Sequence, residues 1–347
     1  MMKALVVREG KTIAVEDHPV PQLGDDDVLV KVVAVAQNPT DWKFVDAVQN
    51  AGTVLGCDWS GHVVRRGKNV TAEPAVGAHV AGFVMGGAFA DSGAYAEYVK
   101  TPAELVWAVP PGTLSHEQAA TMGVGVCTAV QCLYHRERLG LAEPPEKTEG
   151  AEWVFVNGGS SSVGQYAIQL ARLSGYKVAA TSSPHNFALV SSLGADAVFD
   201  YRDPNVVATI KEATADGVHH AIDTQSTKET QELCARIMGK DGGKLILMFA
   251  PTFKAKKLRK DVQFIPTLVY TALGRPFALG PQAKYAAQPD DRAQVVGFLK
   301  KLPMIVQNGL LLPNPVKLWE GGLHSIADGL QYMREGKVSG EKIVYRL

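Results

Sequence analysis

The sequence predicts an α/β protein in which a β-rich lobe is followed by a doubly wound parallel sheet, after which the chain returns to the first lobe. Short β-branched runs separated by turn residues fill roughly the first third of the chain. From residue 153 a strand–helix alternation takes over, and repeated units of that size build a right-handed parallel sheet covered by helices. Between the first such strand and its helix stands a turn of small residues, 157–164.

The β-rich lobe rests on runs at 4–7, 28–36, 61–64, 79–84 and 94–99, divided by turn signals at 23–25 and 66–69. Apolar residues at helical spacing over 116–135, after Ser115 as N-cap, predict one helix there. A connector rich in Pro, Glu and Gly follows at 141–151. Strands are then expected at 153–156, 177–181, 197–199, 219–222 and 244–248, with helices at 163–174, 186–193, 206–213 and 228–237 between them. Residues 250–290, rich in Pro, Lys and aromatics, read as a long irregular segment of functional or mobile character. A helix over 294–308 and a last strand at 343–344 complete the chain.

With 347 residues, 46% hydrophobic and 20% charged, the composition is that of a globular protein with room for two domains. Lys+Arg and Asp+Glu balance at 35 each, so no net field steers the chain toward nucleic acid or an anionic membrane. The apolar run at the start is too short for a signal-peptide core. No stretch reaches the roughly 18–20 apolar residues of a membrane helix. The expected location is cytoplasmic. Cys57, Cys127, Cys132 and Cys234 form no Cys-x-x-Cys pair and read as unlinked, buried thiols.

The turn at 157–164 is the most informative segment. A buried strand enters it and an amphipathic helix leaves it at once, which is what a pyrophosphate needs: backbone N–H groups at a helix N-terminus and no side chain in the way. Gly159 and Gly164 hold the first and last positions of a G-x-G-x-x-G pattern, with Ser161 where the second glycine would stand. An NAD site places Asp or Glu about 20 residues on, at the end of the second strand. Here that end reads Ser182-Ser183-Pro184-His185-Asn186, without a carboxylate, and its donors suit a 2′-phosphate. NADPH is favoured over NADH, although no arginine accompanies them.

Several motifs then coincide: Asn38-Pro39-Thr40-Asp41-Trp42-Lys43, the 159–164 turn, Ser183-Pro184-His185-Asn186-Phe187, Val198-Phe199-Asp200-Tyr201-Arg202 and Ser339-Gly340-Glu341-Lys342. Together they resemble the medium-chain dehydrogenases/reductases over the whole chain, in particular the zinc-independent quinone-reductase branch and the fungal trans-acting enoyl reductases of polyketide synthases. The resemblance implies a GroES-like catalytic domain from residues 1–125 and 312–347, with a Rossmann domain, 126–311, inserted. Zinc-type relatives carry Cys near the position of Asn38 and Gly-His-Glu where this chain reads Gly56-Cys57-Asp58, so the three-ligand set of a catalytic zinc is missing and no metal is expected.

The activity implied is hydride transfer from NADPH to the β-carbon of an α,β-unsaturated carbonyl or thioester. A quinone or alkenal reductase, or a non-catalytic NADPH-binding protein, is the alternative. Lys43 is the candidate catalytic group, because an ammonium beside the nicotinamide and its ribose would stabilise charge on the carbonyl oxygen. The competing reading is a solvated surface lysine. Asp41 reads as a brace for the loop, and Trp42 as either a nicotinamide neighbour or a core residue. Carried over by resemblance, Thr40–Lys43, Ser161, Ser162, Val163, Gly164, Ser183, Pro184, His185, Asn186 and Tyr201 hold the cofactor. Leu247, Met248, Gly340 and Glu341 approach its nicotinamide half. Cys127, Thr128, Ala129, Gln131 and Leu133, with Ile265, Thr267 and Val269, match the acyl-binding region.

The expected partners are a small-molecule enoyl or quinone substrate and an acyl carrier protein, for which the basic run 254–260 would offer a docking face; the competing reading is a solvated charge run. Relatives dimerise through the strand near 244–248, and the prolines and charges of 250–290 would block that edge, so a monomer is favoured over a homodimer.

Overall fold

A computed structural model describes residues 1–48, 50–280 and 283–347. The chain forms two compact units, Met1–Val124 with Tyr270–Leu347, and Gly125–Val269.

In the first unit, β1 (Met2–Arg8) and β2 (Thr12–His18) make an antiparallel pair. β3 (Asp27–Ala36), β4 (Asp58–Arg66), β5 (His79–Phe83), β6 (Tyr98–Pro102) and β7 (Val106–Ala108) follow. β3 pairs with β4, and its first half pairs with β6. Gly61 is required where β4 crosses β3, since a Cβ there would meet the Lys31 carbonyl oxygen at 2.1 Å. A short helix, α1 (Pro39–Lys43), leaves the end of β3 and runs into a π-helical turn over Phe44–Val48.

The single helix expected over 116–135 is two. α2 (His116–Ala120) ends and α3 (Val124–Tyr134) begins after a break at Gly123. The cause lies far away in sequence: a Cβ on Gly123 would meet Asp58 Oδ1 at 2.3 Å, and the Val124 amide donates to that oxygen at 2.7 Å. The break thus brings an amide of the new helix's first turn to a buried carboxylate.

The second unit contains six parallel strands, β8 (Trp153–Asn157), β9 (Lys177–Ser182), β10 (Ala197–Asp200), β11 (Val218–Asp223), β12 (Gly243–Leu247) and β13 (Val262–Pro266), in the order β10-β9-β8-β11-β12-β13. That is the doubly wound order, with its switch point between β8 and β11. Helices α4 (Ser162–Leu173), α5 (Phe187–Ser192), α6 (Val206–Ala213), α7 (Lys228–Ile237) and α8 (Phe253–Leu258) connect them. Phe155, Ala221, Leu245, Leu247, Ile210 and Ile237 are among its core.

The expectation of an irregular 250–290 fails for much of its length, because the segment holds α8, β13, a 3₁₀ turn at Val269–Leu273 and the hairpin of β14 (Phe277–Leu279) with β15 (Ala283–Tyr285). Pro266 ends β13, Pro276 precedes β14 and Pro289 opens the helix that follows, positions where a missing N–H is tolerated. β12 is therefore an inner strand and β13 the outer one, contrary to the expectation that 244–248 forms the edge.

The chain returns to the first unit through α9 (Pro289–Gln307), β16 (Val316–Leu318), α10 (Ile326–Arg334) and β17 (Lys342–Arg346). β17 pairs antiparallel with the last residues of β3, Val344 opposite Ala36. Residues 270–311, assigned from the sequence to the nucleotide domain, group with the first unit. There α9 packs on β7 and the turn before it, and Arg292 bridges to Glu104 at 2.6 Å.

Candidate functional site

The small-residue turn of the second unit is built almost wholly from its own backbone. Gly158 adopts φ +77°, a conformation that strains any other residue, and a Cβ there would strike Thr224 Oγ1 at 2.4 Å. Gly164 packs against the strand end so closely that a Cβ would lie 2.3 Å from the Gly158 carbonyl oxygen. Ser161 is the N-cap of α4: its Oγ accepts from the Gly164 amide at 3.0 Å and donates to Thr224 Oγ1 at 2.9 Å. Its hydroxyl thus holds the helix start, whereas the sequence reading aimed it at phosphate. The amides of Ser162 and Val163 belong to the first helical turn, where the dipole favours an anion.

A polar web behind the turn ties together the carboxyl ends of neighbouring strands. Thr181 donates to Asn157 Oδ1 at 2.6 Å, and Asn157 Nδ2 donates to Asp223 Oδ1 at 2.8 Å. Asp223 also accepts from the Ser226 amide and Thr230. Ser226, at φ +52°, accepts from the Met248 amide at 2.7 Å. Burial raises the pKa of Asp223, and these donors counter it. Asp223, Thr224 and Ser226 escaped the sequence reading; only their position just after a buried strand marks them.

At the end of β9, Ser183, Pro184 and His185 are at least partly exposed and Asn186 is buried. Asp200, the last residue of β10, stands opposite Ser182, and Arg202 grips both of its oxygens at 2.9 and 3.0 Å. The Asp200 carboxylate is therefore paired, and its partner is an arginine to which the sequence assigns no role. Tyr201, 47% exposed, lies beneath the Arg202 guanidinium. Leu247 has its side chain in the core, so only its backbone can meet a ligand.

The acyl-region residues divide. Cys127, Thr128, Ala129, Gln131 and Leu133 point around the axis of α3 and are all buried, so they do not share one face. Gln131 and Thr267 do meet, at 2.5 Å, and Arg138 reaches the same hydroxyl. Val269 is buried and Ile265 half-buried. In the basic run, Lys254 is paired with Glu232, and Arg259 with Asp261 and three carbonyls. Lys256, Lys257 and Lys260 stand exposed beside Phe253, itself 83% exposed.

The loop of the first unit is built differently, from side chains that arrive from distant parts of the chain. Asn38 caps α1, and Asp41 Oδ2 accepts from the Asn38 amide and from Tyr95 Oη, each at 2.7 Å. Lys342, from β17, meets Asp58 at 2.6 Å and Asn38 Oδ1 at 3.0 Å, while Asn38 Nδ2 donates to Asp58 at 2.9 Å. Gln37 is gripped by Tyr345 Oη at 2.6 Å and donates to the Gly329 carbonyl at 2.9 Å. Burial pushes the Asp41 pKa up to about 7, with the Asn38 amide and Tyr95 opposing that shift. Lys43, at the end of α1, lies 5.5 Å from the Trp42 ring, and partial burial lowers its pKa. Trp42 is half-exposed, with Arg334 as well over its ring. Gly340 adopts φ +70°, and Glu341 pairs with Lys317 at 2.8 Å.

The donor set does not suit zinc. Asn38 and Asp58 are engaged by the Lys342 ammonium, and a cation cannot share those oxygens with a metal ion. Burial raises the Cys57 thiol well above its ordinary pKa, so it stays protonated, and it faces the Tyr270 hydroxyl at 3.2 Å.

Residues 24–111 match the alcohol dehydrogenase GroES-like domain, and residues 162–262 match the family described as zinc-binding dehydrogenase. The latter match lies in the second unit and contains none of Asn38, Cys57 or Asp58. A trans-enoyl reductase of Alternaria alternata, ACTTS2, is 38% identical over 99% of this chain and 98% of its own. The solved CurK enoyl reductase superposes with a TM-score of 0.76 at 19% identity, covering 99% of each chain. The quinone oxidoreductase of Coxiella burnetii does so at 0.75 and 22%, covering 100% of this chain and 99% of its own. These two likenesses are of fold. The trans-enoyl reductase match extends over nearly the full length, and the chain belongs to the zinc-independent medium-chain dehydrogenases/reductases, nicotinamide-nucleotide-dependent oxidoreductases, in their trans-enoyl reductase branch.

Proposed function

We propose that the protein is an NADPH-dependent enoyl reductase that saturates the C=C bond of an enoyl thioester. The observation that carries this reading is the state of the α1 loop. Where zinc-type relatives need ligands, Asn38 and Asp58 are locked to Lys342, which leaves Lys43 as the electrophilic group of that loop. When bound, NADPH supplies the hydride. Ser162 and Val163 offer helix-start amides to its pyrophosphate, and Ser183, His185 and Asn186 offer donors to its 2′-phosphate. Arg202, held by Asp200 opposite Ser182, is a further cationic donor for that phosphate on this reading. Lys43 lowers the barrier by meeting the negative charge that grows on the thioester oxygen.

A stopped-flow panel tests this. Crotonyl thioester should oxidise NADPH faster than quinones or enals do, and NADH should serve poorly. Preference for quinones would move the protein to the neighbouring reductase class, and tight NADPH binding with no turnover would make it a binding protein.

The protein acts in trans on a carrier-bound acyl chain of a polyketide synthase, on this reading, in the cytoplasm and as a monomer. Supporting the first point are Lys256, Lys257 and Lys260, which would face an acidic carrier. Neutralising the three should raise KM for carrier-bound but not for free thioester. Supporting the last is Pro266, which ends the outer strand β13 without a donor. Light scattering that gives twice the chain mass would count against it.

A further inference from the structure

The zinc-free loop contains an unused set of proton-carrying groups. Tyr270 Oη donates to Thr40 Oγ1 at 3.2 Å and lies 3.2 Å from Cys57 Sγ. Cys57 is fully buried and Tyr270 nearly so, and the tyrosine ring is held edge-on by Phe44 and Phe277 and tilted against Phe83. Asp41 is 1% exposed. Its Oδ2 accepts two hydrogen bonds, whereas Oδ1 has no partner of normal geometry among the described residues, with the Cys57 side chain close enough to ease the cost of its charge.

These polarities agree. If Oδ1 carries a proton, the Cys57 side chain is the neighbour that can accept it; the thiol then donates to Tyr270, Tyr270 donates to Thr40, and half-exposed Thr40 keeps its own hydroxyl hydrogen to donate. We propose that Asp41, Cys57, Tyr270 and Thr40 form a proton wire that protonates the α-carbon of the substrate. The proposal rests on the enoyl reductase reading above. It gives Asp41 a part in proton delivery in addition to bracing the loop.

Once the β-carbon has received hydride, the π electrons of the alkene lie on the carbonyl oxygen as an enolate. The enolate re-forms its C=O bond as the α-carbon takes the Thr40 hydrogen. Thr40 takes one from Tyr270, Tyr270 from Cys57 and Cys57 from Asp41, which is left as a carboxylate. After product leaves, water returns a proton along the same chain. The acidity of Asp41 is set first by burial, then by the Asn38 amide, Tyr95, the charge of Asp58 and Cys57, with Tyr345 and Tyr270 nearby. Lys342 neutralises much of the Asp58 charge, and Lys43 follows two residues later. An acid that titrates at about 7 is half protonated at neutral pH, and that fraction is available for donation.

The test pairs Cys57→Ser, which keeps an exchangeable hydrogen, with Cys57→Ala, which does not, and adds Tyr270→Phe. The alanine and phenylalanine variants should lose about tenfold to a hundredfold in kcat, with KM for NADPH unchanged, while Cys57→Ser recovers most of the rate. Wild-type kcat should fall as pH rises through about 7 and show a solvent isotope effect. Infrared spectra of the protein without ligands provide a readout independent of turnover. A protonated-carboxyl band should be present at pH 6, absent in Asp41→Asn, and shifted by Cys57→Ala. Tyr270→Phe with wild-type kcat and pH profile overturns the wire, as does a Cys57→Ser enzyme as slow as Cys57→Ala or a missing carboxyl band. A wild-type protein that reduces no alkene overturns the assigned function, and with it the wire's destination.

Discussion

The nucleotide turn and the α1 loop solve one problem, placing polar groups in a fixed geometry, by opposite means. The turn uses contiguous residues: Gly158 for a left-handed backbone, Ser161 for a cap, Gly164 for close packing. The loop uses groups from distant parts of the chain: Asp58 of β4, Tyr95 from the segment before β6, the Gly329 carbonyl of α10, and Lys342 and Tyr345 of β17. A local solution depends on conformation and tolerates changes elsewhere. A non-local one depends on every contributor, and is vulnerable wherever one buried charge loses its partner.

That contrast can be broken most severely at Lys342. Lys342→Met strands the Asp58 carboxylate in the interior, and thermal or denaturant unfolding should show a loss of about 3–5 kcal/mol. If the loss is under about 1 kcal/mol, the loop does not depend on its distant charge. In the turn, Gly164→Ala drives a Cβ against the Gly158 carbonyl. A cost of about 1–3 kcal/mol in stability is expected, with weakened NADPH binding by calorimetry.

Asp41→Asn tests the pH dependence of the loop. Because the folded pKa of Asp41 lies above its unfolded value, the folded state binds the extra proton, and wild-type stability should decline as pH rises from about 4 to about 7. The asparagine variant should show a flatter profile over that window, and the two should differ by up to a few kcal/mol at pH 8. Lys43→Ala should reduce NADPH-dependent turnover about tenfold or more, equivalent to about 1.4 kcal/mol or more, with the melting temperature nearly unchanged. A near-wild-type rate would remove Lys43 from the mechanism. The mildest expected change is Ser161→Ala, which removes one helix cap and should lower stability by about 1 kcal/mol.

The nucleotide unit was legible in the sequence because its information is periodic and local. All five expected strands of 153–248 and the helices between them appear within a residue or two of their predicted ends. Missed were β13, hidden by Pro266 and a mixed pattern, and the edge assignment that depended on it. In the first unit β2, β7, β14, β15 and β16 and the helices α1 and α10 were missed, and one expected helix proved to be two. That break follows from Gly123 lying against Asp58, which is 65 residues away and carries no local signal. Arg202 was overlooked because the pairing that sets its partner Asp200 opposite Ser182 comes from strand register, not from spacing.

By itself the sequence determined the strand–helix alternation, the glycine/serine turn, the missing carboxylate at the end of β9 and the absence of a zinc ligand triplet, since each depends on residues close together or on residue type alone. Only the tertiary structure decided which buried groups are paired. It brought Lys342 to Asp58 and Asn38, turned Ser161 inward as a cap, and linked Cys57, Tyr270 and Thr40. Charges and hydroxyls in an interior must find partners wherever the fold places them, and no local pattern in the chain records which partner that will be.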